Sequence, residues 1–247
     1  AMDAKEPVRA ELINYTKSGQ EFWIEEDMQA LANSEGKYTH YVTVGRDITE
    51  RKKAEADIHS LAYFDVLTGL PNRRLLIDRM GILLATAQRT SLVSAVLFID
   101  LDHFKYINDA RGHATGDALL THVATRISHL LREVDTVARI GGDEFVVLIS
   151  NIAKDLNTGA GFALAVAEKI RHAIAQVFEI DGQTYNSACS IGVTLLPKLA
   201  QNTDDLLRES DTAMYRAKAA GRNQIAFFEE RMQAEVEHRL NMERDLA

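Results

Sequence analysis

Three acidic residues and two glycines are the first candidates for chemistry in this sequence. Asp100 lies at the end of the apolar run "LVSAVLFID", and Gly141-Gly142-Asp143-Glu144 separates "TVARI" from "EFVVLIS". Carboxylates from Asp100, Asp143 and Glu144 would repel one another unless a divalent cation lay among them. Magnesium prefers such oxygen ligands and leaves positions for phosphate oxygens, so the acids predict nucleotide chemistry at a magnesium site. By motif alone, a surface hairpin with incidental acids explains these residues equally well.

The elements that must position these acids alternate between strand and helix from Asp65 to Phe228. Their order is β-α-β-β-α-β, the ferredoxin-like split βαβ pattern, after one extra helix, "NRRLLIDRMGILLATAQR". We expect an α+β fold with a central antiparallel sheet and helices on one face, with the hairpin turn near the end of "LFIDLD". The predicted parts are the strand "LVSAVLFID", a long helix over 104–132, the "TVARI"/"EFVVLIS" hairpin, a helix over 157–177, the strand "TYNSACSIGVTLL", a helix from Asn202 or Thr203 to Gly221, and the strand "QIAFF".

The N-terminal residues follow a different pattern. Apolar and polar residues alternate over residues 8–48, and turn signals interrupt them twice, which predicts about three antiparallel strands. Three strands are too few for a stable sheet with its own core. Residues 49–64 predict a polar helix with Ile58 and Leu61 on one side, which is either a signalling or dimerising helix or a solvated linker.

Composition limits the function classes. The chain has 247 residues, 46% hydrophobic, and a net charge of -8, which argues against a protein that coats nucleic acid or anionic lipid. A single cysteine, Cys189, excludes a disulfide framework and a multi-thiolate metal site. No apolar run approaches the roughly 20 residues that span a bilayer. We therefore expect a cytoplasmic protein without a membrane segment in this sequence, although a longer parent protein could be membrane-attached.

Several spaced motifs in residues 65–228 resemble the GGDEF-domain diguanylate cyclases. They are "GGDEF" itself, "FIDLDHFKYINDARGHATGDALL", "DVLTGLPNRR" and "AMYRAKAAGRNQ". The resemblance implies a nucleotide-cyclase-like or palm-like sheet with surrounding helices. It also implies that each domain binds one GTP and pairs with a second copy, and that the homodimer makes cyclic di-GMP and two pyrophosphates with magnesium or manganese.

The same resemblance implies which residues bind metal and perform catalysis. Asp100 and the main-chain carbonyl of Leu101 match metal ligands. Asp143 matches a residue that binds metal and helps to deprotonate the ribose 3′-hydroxyl, and Glu144 matches a second metal-associated acid. Bridging metals neutralise phosphate charge and lower the pKa of a coordinated hydroxyl, so losing one acid should abolish turnover.

The resemblance also implies the GTP contacts. Asn108 and Asp117 match the guanine readers, and an Asp can accept from guanine N1–H and N2–H together. Without the family, both would be ordinary polar residues, with Asp117 at a turn after Gly116. The remaining matches contact phosphate through main-chain N–H groups, at Phe104 and Lys105, or through cationic side chains, at Lys218 and Arg222. Without the family, the two cations would simply complement a helix C-terminus.

An R-x-x-D pattern, Arg132 to Asp135, precedes the double glycine. Five residues separate Asp135 from Gly141, which is the spacing of the family's allosteric inhibitory site. We expect product inhibition by cyclic di-GMP bound there, with Arg132 and Asp135 contacting guanine or phosphate. A salt bridge at a helix end explains the pattern equally well.

The flanks resemble parts of the same signalling systems. Residues 1–48 look like the C-terminal strands of a PAS domain, and residues 49–64 like its linker. Residues 229–247 resemble the helix that joins a GGDEF domain to an EAL phosphodiesterase domain. An alternative function is therefore a GTP-binding regulatory module that controls an adjacent phosphodiesterase. A class III nucleotide cyclase or a polymerase palm is a remoter alternative.

Overall fold

The computed structural model describes residues 8–197 and 202–229. It divides into two compact units, an N-terminal unit up to Ala62 and a C-terminal unit from Tyr63. The helix predicted over residues 229–247 lies outside the described residues except for Glu229. No helix within the two described ranges is long and apolar enough to cross a membrane.

The N-terminal unit is one antiparallel sheet followed by a helix. Strands β1 (Val8–Tyr15), β2 (Glu21–Ala32) and β3 (Tyr38–Asp47) pair in sequence order, which confirms the three predicted strands. Helix α1 (Thr49–Tyr63) follows and buries none of its side chains. Ion pairs hold it to the sheet within this unit, including Arg51 Nη2 to Glu11 Oε1 at 2.7 Å.

The C-terminal unit has the predicted split βαβ order. Its five-stranded sheet runs β10-β9-β4-β6-β5, with β10 parallel to β9 and the other pairs antiparallel. A separate two-stranded hairpin, β7–β8, completes the strands described here. The elements are α2 (Arg73–Thr90), β4 (Val93–Asp102), α3 (Phe104–Arg111), α4 (His113–Leu130), β5 (Thr136–Gly141), β6 (Glu144–Ala153), α5 (Leu156–Ala175), β7 (Phe178–Ile180), β8 (Gln183–Tyr185), β9 (Ala188–Leu196), α6 (Thr203–Ala219) and β10 (Ile225–Phe227).

Helices cover both faces of this sheet, so the expectation of helices on one face was wrong. All ten residues of β4 are buried. Leu97 and Ile99 belong to a core shared with α4 and α5, whereas Val96 and Phe98 belong to a second core shared with α2 and α6. The extra helix α2 and the last helix α6 each carry an apolar stripe that must be buried. Both helices bury this stripe by packing on the second face of the sheet.

The single helix predicted over residues 104–132 was also wrong, because it is two helices. Gly112 separates α3 from α4 with φ 87° and ψ 161°, a conformation that glycine adopts without a Cβ clash. The break folds α3 back on α4. There, a Cβ on Gly116 would lie 1.8 Å from Asn108 Oδ1, so this contact requires glycine.

The small β7–β8 hairpin was not predicted. Its turn is Asp181-Gly182, and both residues have positive φ, as a two-residue hairpin turn requires. The "DG" dipeptide was the available signal. The strand predicted from Thr184 begins at Ala188 instead, because Thr184 and Tyr185 belong to β8.

Candidate active site

The double-glycine turn lies beside the carboxyl end of β4, as the topology predicted. Asp100 and Glu144 are register partners across β4 and β6, and Leu101 N donates to Asp143 O at 3.3 Å. Gly142 has φ 48° and Gly141 φ 154°, a backbone path that favours glycine at both positions. The turn therefore brings two acids from one strand pair to the end of another strand.

Arg139 holds this turn in place, a role that no motif in the sequence predicted. Its Nε and Nη2 donate to Gly142 O at 3.0 and 2.8 Å, and its Nη1 donates to both carboxylate oxygens of Asp65 at 2.9 and 3.0 Å. Burial raises the pKa of Asp65, but hydrogen bonds from Thr68 and Arg139 outweigh it and hold the pKa below its usual value. The available signal was an arginine two residues before the double glycine.

The acids at the end of the sheet carry concentrated negative charge. Burial raises the pKa of Asp100, and the neighbouring Asp143 adds to the shift. Burial also raises the pKa of Glu144, and repulsion from Asp100 and from Asp211 acts in the same direction. Lys218 Nζ lies 2.7 Å from Asp100 Oδ2 and opposes the shift at both acids. The site is thus built to attract positive charge.

Helix α6 supplies both Lys218 and Asp211, a second site residue that no motif in the sequence predicted. The two lie seven residues apart, two helical turns along one face. Burial raises the pKa of Asp211, whereas the charge of Lys218 lowers it. The i, i+7 spacing was a signal, but only the packing of α6 onto the sheet brings Asp211 near Glu144.

A close approach between α6 and β9 sets where these side chains lie. A Cβ on Gly192 would come within 2.0 Å of Ser210 O and 2.2 Å of Met214 N, both in the backbone of α6. No side chain larger than hydrogen fits there without moving the helix. Gly192 therefore fixes the depth at which α6 presents Asp211 and Lys218.

Asp102 adds to the negative charge near Asp100, but its own hydrogen bonds are made elsewhere. It is buried, accepts from Ser190 Oγ at 2.8 Å through Oδ1, and accepts from the main-chain N of Asn223 at 2.8 Å through Oδ2. Asp102 lies two residues after Asp100 in β4 and hence on the same side of the strand, but its partners give it a structural role.

The guanine-reader candidates meet through Gly116. Asn108 packs on Gly116, the residue before Asp117, and its Oδ1 is buried without a hydrogen-bond partner among the described residues. An unsatisfied buried acceptor is costly and needs an explanation such as a ligand donor. Asp117 is exposed within α4. The alternative that it lies at a turn after Gly116 was therefore wrong.

The phosphate candidates lie at two helix ends. Phe104 and Lys105 begin α3, and the residue before them, His103, makes no side-chain cap. At the end of α6, Gly221 N donates to Lys218 O and Arg222 N donates to Ala217 O, the Schellman pattern. Lys218 reaches Asp100, whereas the Arg222 side chain is exposed and forms no ion pair within the described ranges.

Two family models match this sequence. The model described as "Diguanylate cyclase, GGDEF domain" covers residues 62–224, and a PAS domain model covers residues 1–50. This chain belongs to the GGDEF diguanylate cyclase family. The GGDEF domain is therefore flanked by a partial PAS domain, as the sequence motifs implied.

Named relatives and solved structures agree with that assignment. The bifunctional diguanylate cyclase/cyclic di-GMP phosphodiesterase MucR of Pseudomonas aeruginosa is 42% identical over 80% of this chain, which spans only 28% of MucR. The GGDEF domain of TpbB (YfiN) from the same species is 40% identical with a TM-score of 0.62, covering 66% of this chain and 98% of that one. The GGDEF domain of DgcB from Caulobacter crescentus in complex with c-di-GMP is 26% identical with a TM-score of 0.62, covering 68% and 94%.

The carboxylate oxygens at this site are the type of ligand that a divalent cation such as magnesium prefers. Within residues 8–197 and 202–229, no three Asp, Glu, His or Cys side chains are grouped as the ligands of one ion. Asp100 and Glu144 are nevertheless register partners on two paired strands, and burial raises the pKa of each. Repulsion from a neighbouring carboxylate adds to each pKa shift, from Asp143 at Asp100 and from Asp100 at Glu144. A hard cation would relieve that repulsion.

The R-x-x-D residues contact each other. Arg132 Nε lies 3.1 Å from Asp135 Oδ2, and Ser150 N donates to Asp135 Oδ1 at 3.2 Å. The Asp135 side chain is 3% exposed and that of Arg132 is 58% exposed. A cleft of about 420 Å³ adjoins Asp135, and its lining includes Arg79, Asp135 and Ser150. The salt-bridge interpretation thus describes this arrangement, and the exposed guanidinium remains accessible to a ligand.

Proposed function

We propose that the GGDEF domain condenses two GTP molecules into cyclic di-GMP and releases two pyrophosphates. The observation that carries the proposal is the meeting of Asp100, Glu144 and the Gly141-Gly142 turn beside Lys218, in a chain of the diguanylate cyclase family. The name of MucR and the c-di-GMP complex of DgcB support the same product.

In each transfer, a ribose 3′-oxygen attacks the α-phosphorus of the partner GTP. A new O–P bond forms, the bond from the α-phosphorus to pyrophosphate breaks, and the hydroxyl proton passes to the Asp143 carboxylate. Asp100, the Leu101 carbonyl, Asp143 and Glu144 would hold magnesium or manganese. Such an ion, when bound, neutralises phosphate charge and favours the deprotonated hydroxyl.

The other candidate residues bind and orient GTP. Asn108 and Asp117 read the guanine edge, and the orphaned Oδ1 of Asn108 supports a ligand donor at that position. The main-chain N–H groups of Phe104 and Lys105 receive a phosphate at the start of α3. Lys218 exchanges its bond with Asp100 for a terminal phosphate, and Arg222 reaches the same phosphates from the end of α6.

Catalysis requires two copies of the domain, because each site supplies only one of the two GTP molecules that react. A homodimer that brings two such sites face to face is therefore the active form. Product bound at Arg132 and Asp135 inhibits the enzyme, since the exposed Arg132 guanidinium can bind phosphate or a guanine edge in bidentate fashion and a cleft adjoins its partner Asp135.

A regulatory GTP-binding module is the second candidate. MucR is named as both a cyclase and a phosphodiesterase, and this chain spans 28% of it. In a longer protein of that kind, residues 229–247 would lead to an EAL domain, and GTP binding here would alter hydrolysis there. The PAS strands would pass on an upstream signal in either case.

The deciding experiment incubates the purified chain with GTP and magnesium and separates the nucleotides by liquid chromatography. Asp143→Asn and Glu144→Gln should lower product formation roughly a hundredfold or more, since each removes charge from the reacting centre. Asp181→Asn, in the β7–β8 turn, is the matched control and should behave like the unmodified chain. GTP that is bound but never converted, even at high protein concentration, would contradict the cyclase and favour the regulatory module.

A further inference from the structure

The turn after α6 has an unfavourable backbone. Gly221, Arg222 and Asn223 follow one another with φ of 123°, 63° and 49°. Glycine tolerates such values and asparagine adopts them more readily than most residues, but arginine adopts them rarely. Strained backbone persists only where surrounding contacts over-determine it, and it clusters at functional sites.

Contacts from three other elements hold this turn. Asp102 of β4 accepts from Asn223 N at 2.8 Å. Arg171 of α5 donates through Nη1 to Asn223 Oδ1 at 3.2 Å and to Asn223 O at 3.4 Å. Ile191 of β9 donates its N–H to Gln224 O at 2.9 Å. The residue directly after Arg222 is therefore bonded through its N–H, its carbonyl and its side chain.

The two anchoring side chains are themselves fixed. Ser190 Oγ donates to the other oxygen of Asp102 at 2.8 Å. Glu168 accepts from Nε and Nη2 of Arg171 at 3.0 and 2.8 Å, which leaves Nη1 aimed at Asn223. Because every part of this network has a partner, its geometry is rigid where it meets the turn.

We infer that Arg171 is a positioning residue that acts through Asn223 to set where Arg222 meets the terminal phosphates of GTP. This inference rests on the proposed function, in which Arg222 binds those phosphates. The network holds the residue next to Arg222, while the exposed Arg222 guanidinium forms no ion pair in the described part of the chain. A phosphate contact is strongest when its donor is pre-organised, because little ordering remains for the binding step.

The test measures binding, so that it does not depend on turnover. The ligands are 3′-deoxy-GTP, which cannot form the new bond, and GMP, which lacks the terminal phosphates, each with magnesium. Arg171→Met should raise the Kd of the triphosphate about tenfold, or about 1.4 kcal/mol, and leave the Kd of GMP unchanged. Arg89→Met, an exposed residue in the last turn of α2, is the matched control.

A double-mutant cycle with Arg222→Ala tests the positioning role of Arg171 separately from the phosphate-binding role of Arg222. In the Arg222→Ala background, Arg171→Met should have no further effect on the triphosphate, because its role is to position that side chain. If Arg171→Met raised the triphosphate Kd as much in that background, or weakened GMP binding equally, the positioning role of Arg171 would be wrong. The proposed function would not be affected. If Arg222→Ala alone left triphosphate binding unchanged, Arg222 would not bind the phosphates, and the positioning role of Arg171 would also be wrong.

Discussion

The two main sheets of this protein consist mainly of antiparallel strand pairs, but their strands are buried to opposite degrees. Every residue of β3 in the N-terminal unit is exposed, whereas every residue of β4 in the C-terminal unit is buried. The first sheet has one helix with no buried side chain, and the second has helices on both faces. Two covered faces can hold acids such as Asp100 in a low-dielectric setting, and that setting shifts their pKa.

The largest test of this contrast removes a leucine from each sheet. Leu97 of β4 is fully buried and Leu31 of β2 is 45% exposed. Leu97→Ala should lower the free energy of unfolding by about 2–5 kcal/mol because it leaves a cavity. Leu31→Ala should cost less than about 1 kcal/mol.

The single tryptophan, Trp23, makes the two effects separable. It lies in β2, so its fluorescence follows the N-terminal unit during denaturant titration, while helical circular dichroism follows mainly the C-terminal unit. Equal destabilisation by the two substitutions would contradict the contrast in burial.

The next effect concerns how closely a helix approaches the sheet. Gly192→Ala should destabilise the C-terminal unit by about 1–3 kcal/mol, because the new methyl group meets the α6 backbone. It should also weaken GTP binding, since α6 carries Lys218. Gly81→Ala is the control, because its Cβ would meet nothing within 4 Å in α2. If calorimetry found both variants alike, the close approach would not constrain α6.

A smaller effect is expected at Asp65, whose partner Arg139 holds the double-glycine turn. Asp65→Asn should cost about 1–2 kcal/mol at pH 7, because a hydrogen-bonded charge pair is lost. The folded pKa of Asp65 lies below its usual 3.8, so the carboxylate contributes fully above that value and loses its contribution as the pH falls through the folded pKa.

Unfolding titrations at several pH values check this sign. The difference between Asp65→Asn and the unmodified chain should shrink below about pH 4. A difference that stayed constant down to pH 2 would show that the charge of Asp65 is unimportant.

The smallest effect is expected at the ion pairs of the N-terminal unit. Glu11 contacts Arg51, and hydrogen bonds from Lys52 and Arg51 lower the pKa of Glu11 to about 2. Because this carboxylate is solvent-exposed, Glu11→Gln should shift the Trp23 unfolding midpoint only slightly, and high salt should remove the shift. A large, salt-independent shift would mean that these ion pairs stabilise the N-terminal unit more than exposed ion pairs normally do.

Much of the fold was predictable because its signals are local. Alternation predicted β1–β3, and the order of apolar runs predicted the split βαβ sheet that brings Glu144 opposite Asp100. The helix break at Gly112 was missed because one glycine does not interrupt an apolar stripe. Helices on both faces were missed although the near-continuous apolar run of β4 is typical of a strand buried on both faces, because the split βαβ pattern by itself places its helices on one face.

The sequence by itself determined the family, the order of the elements and which acids share the end of β4. Only the tertiary structure decided that Asp102 bonds Asn223 and not the acid cluster, that Asp211 lies near Glu144, and that Arg139 and Arg171 fasten the two turns. The reason is physical. Periodicity fixes the side of an element on which a residue lies, whereas its partners come from segments 74 or 121 residues away, as for Arg139 with Asp65 and Asn223 with Asp102, and packing alone brings those together.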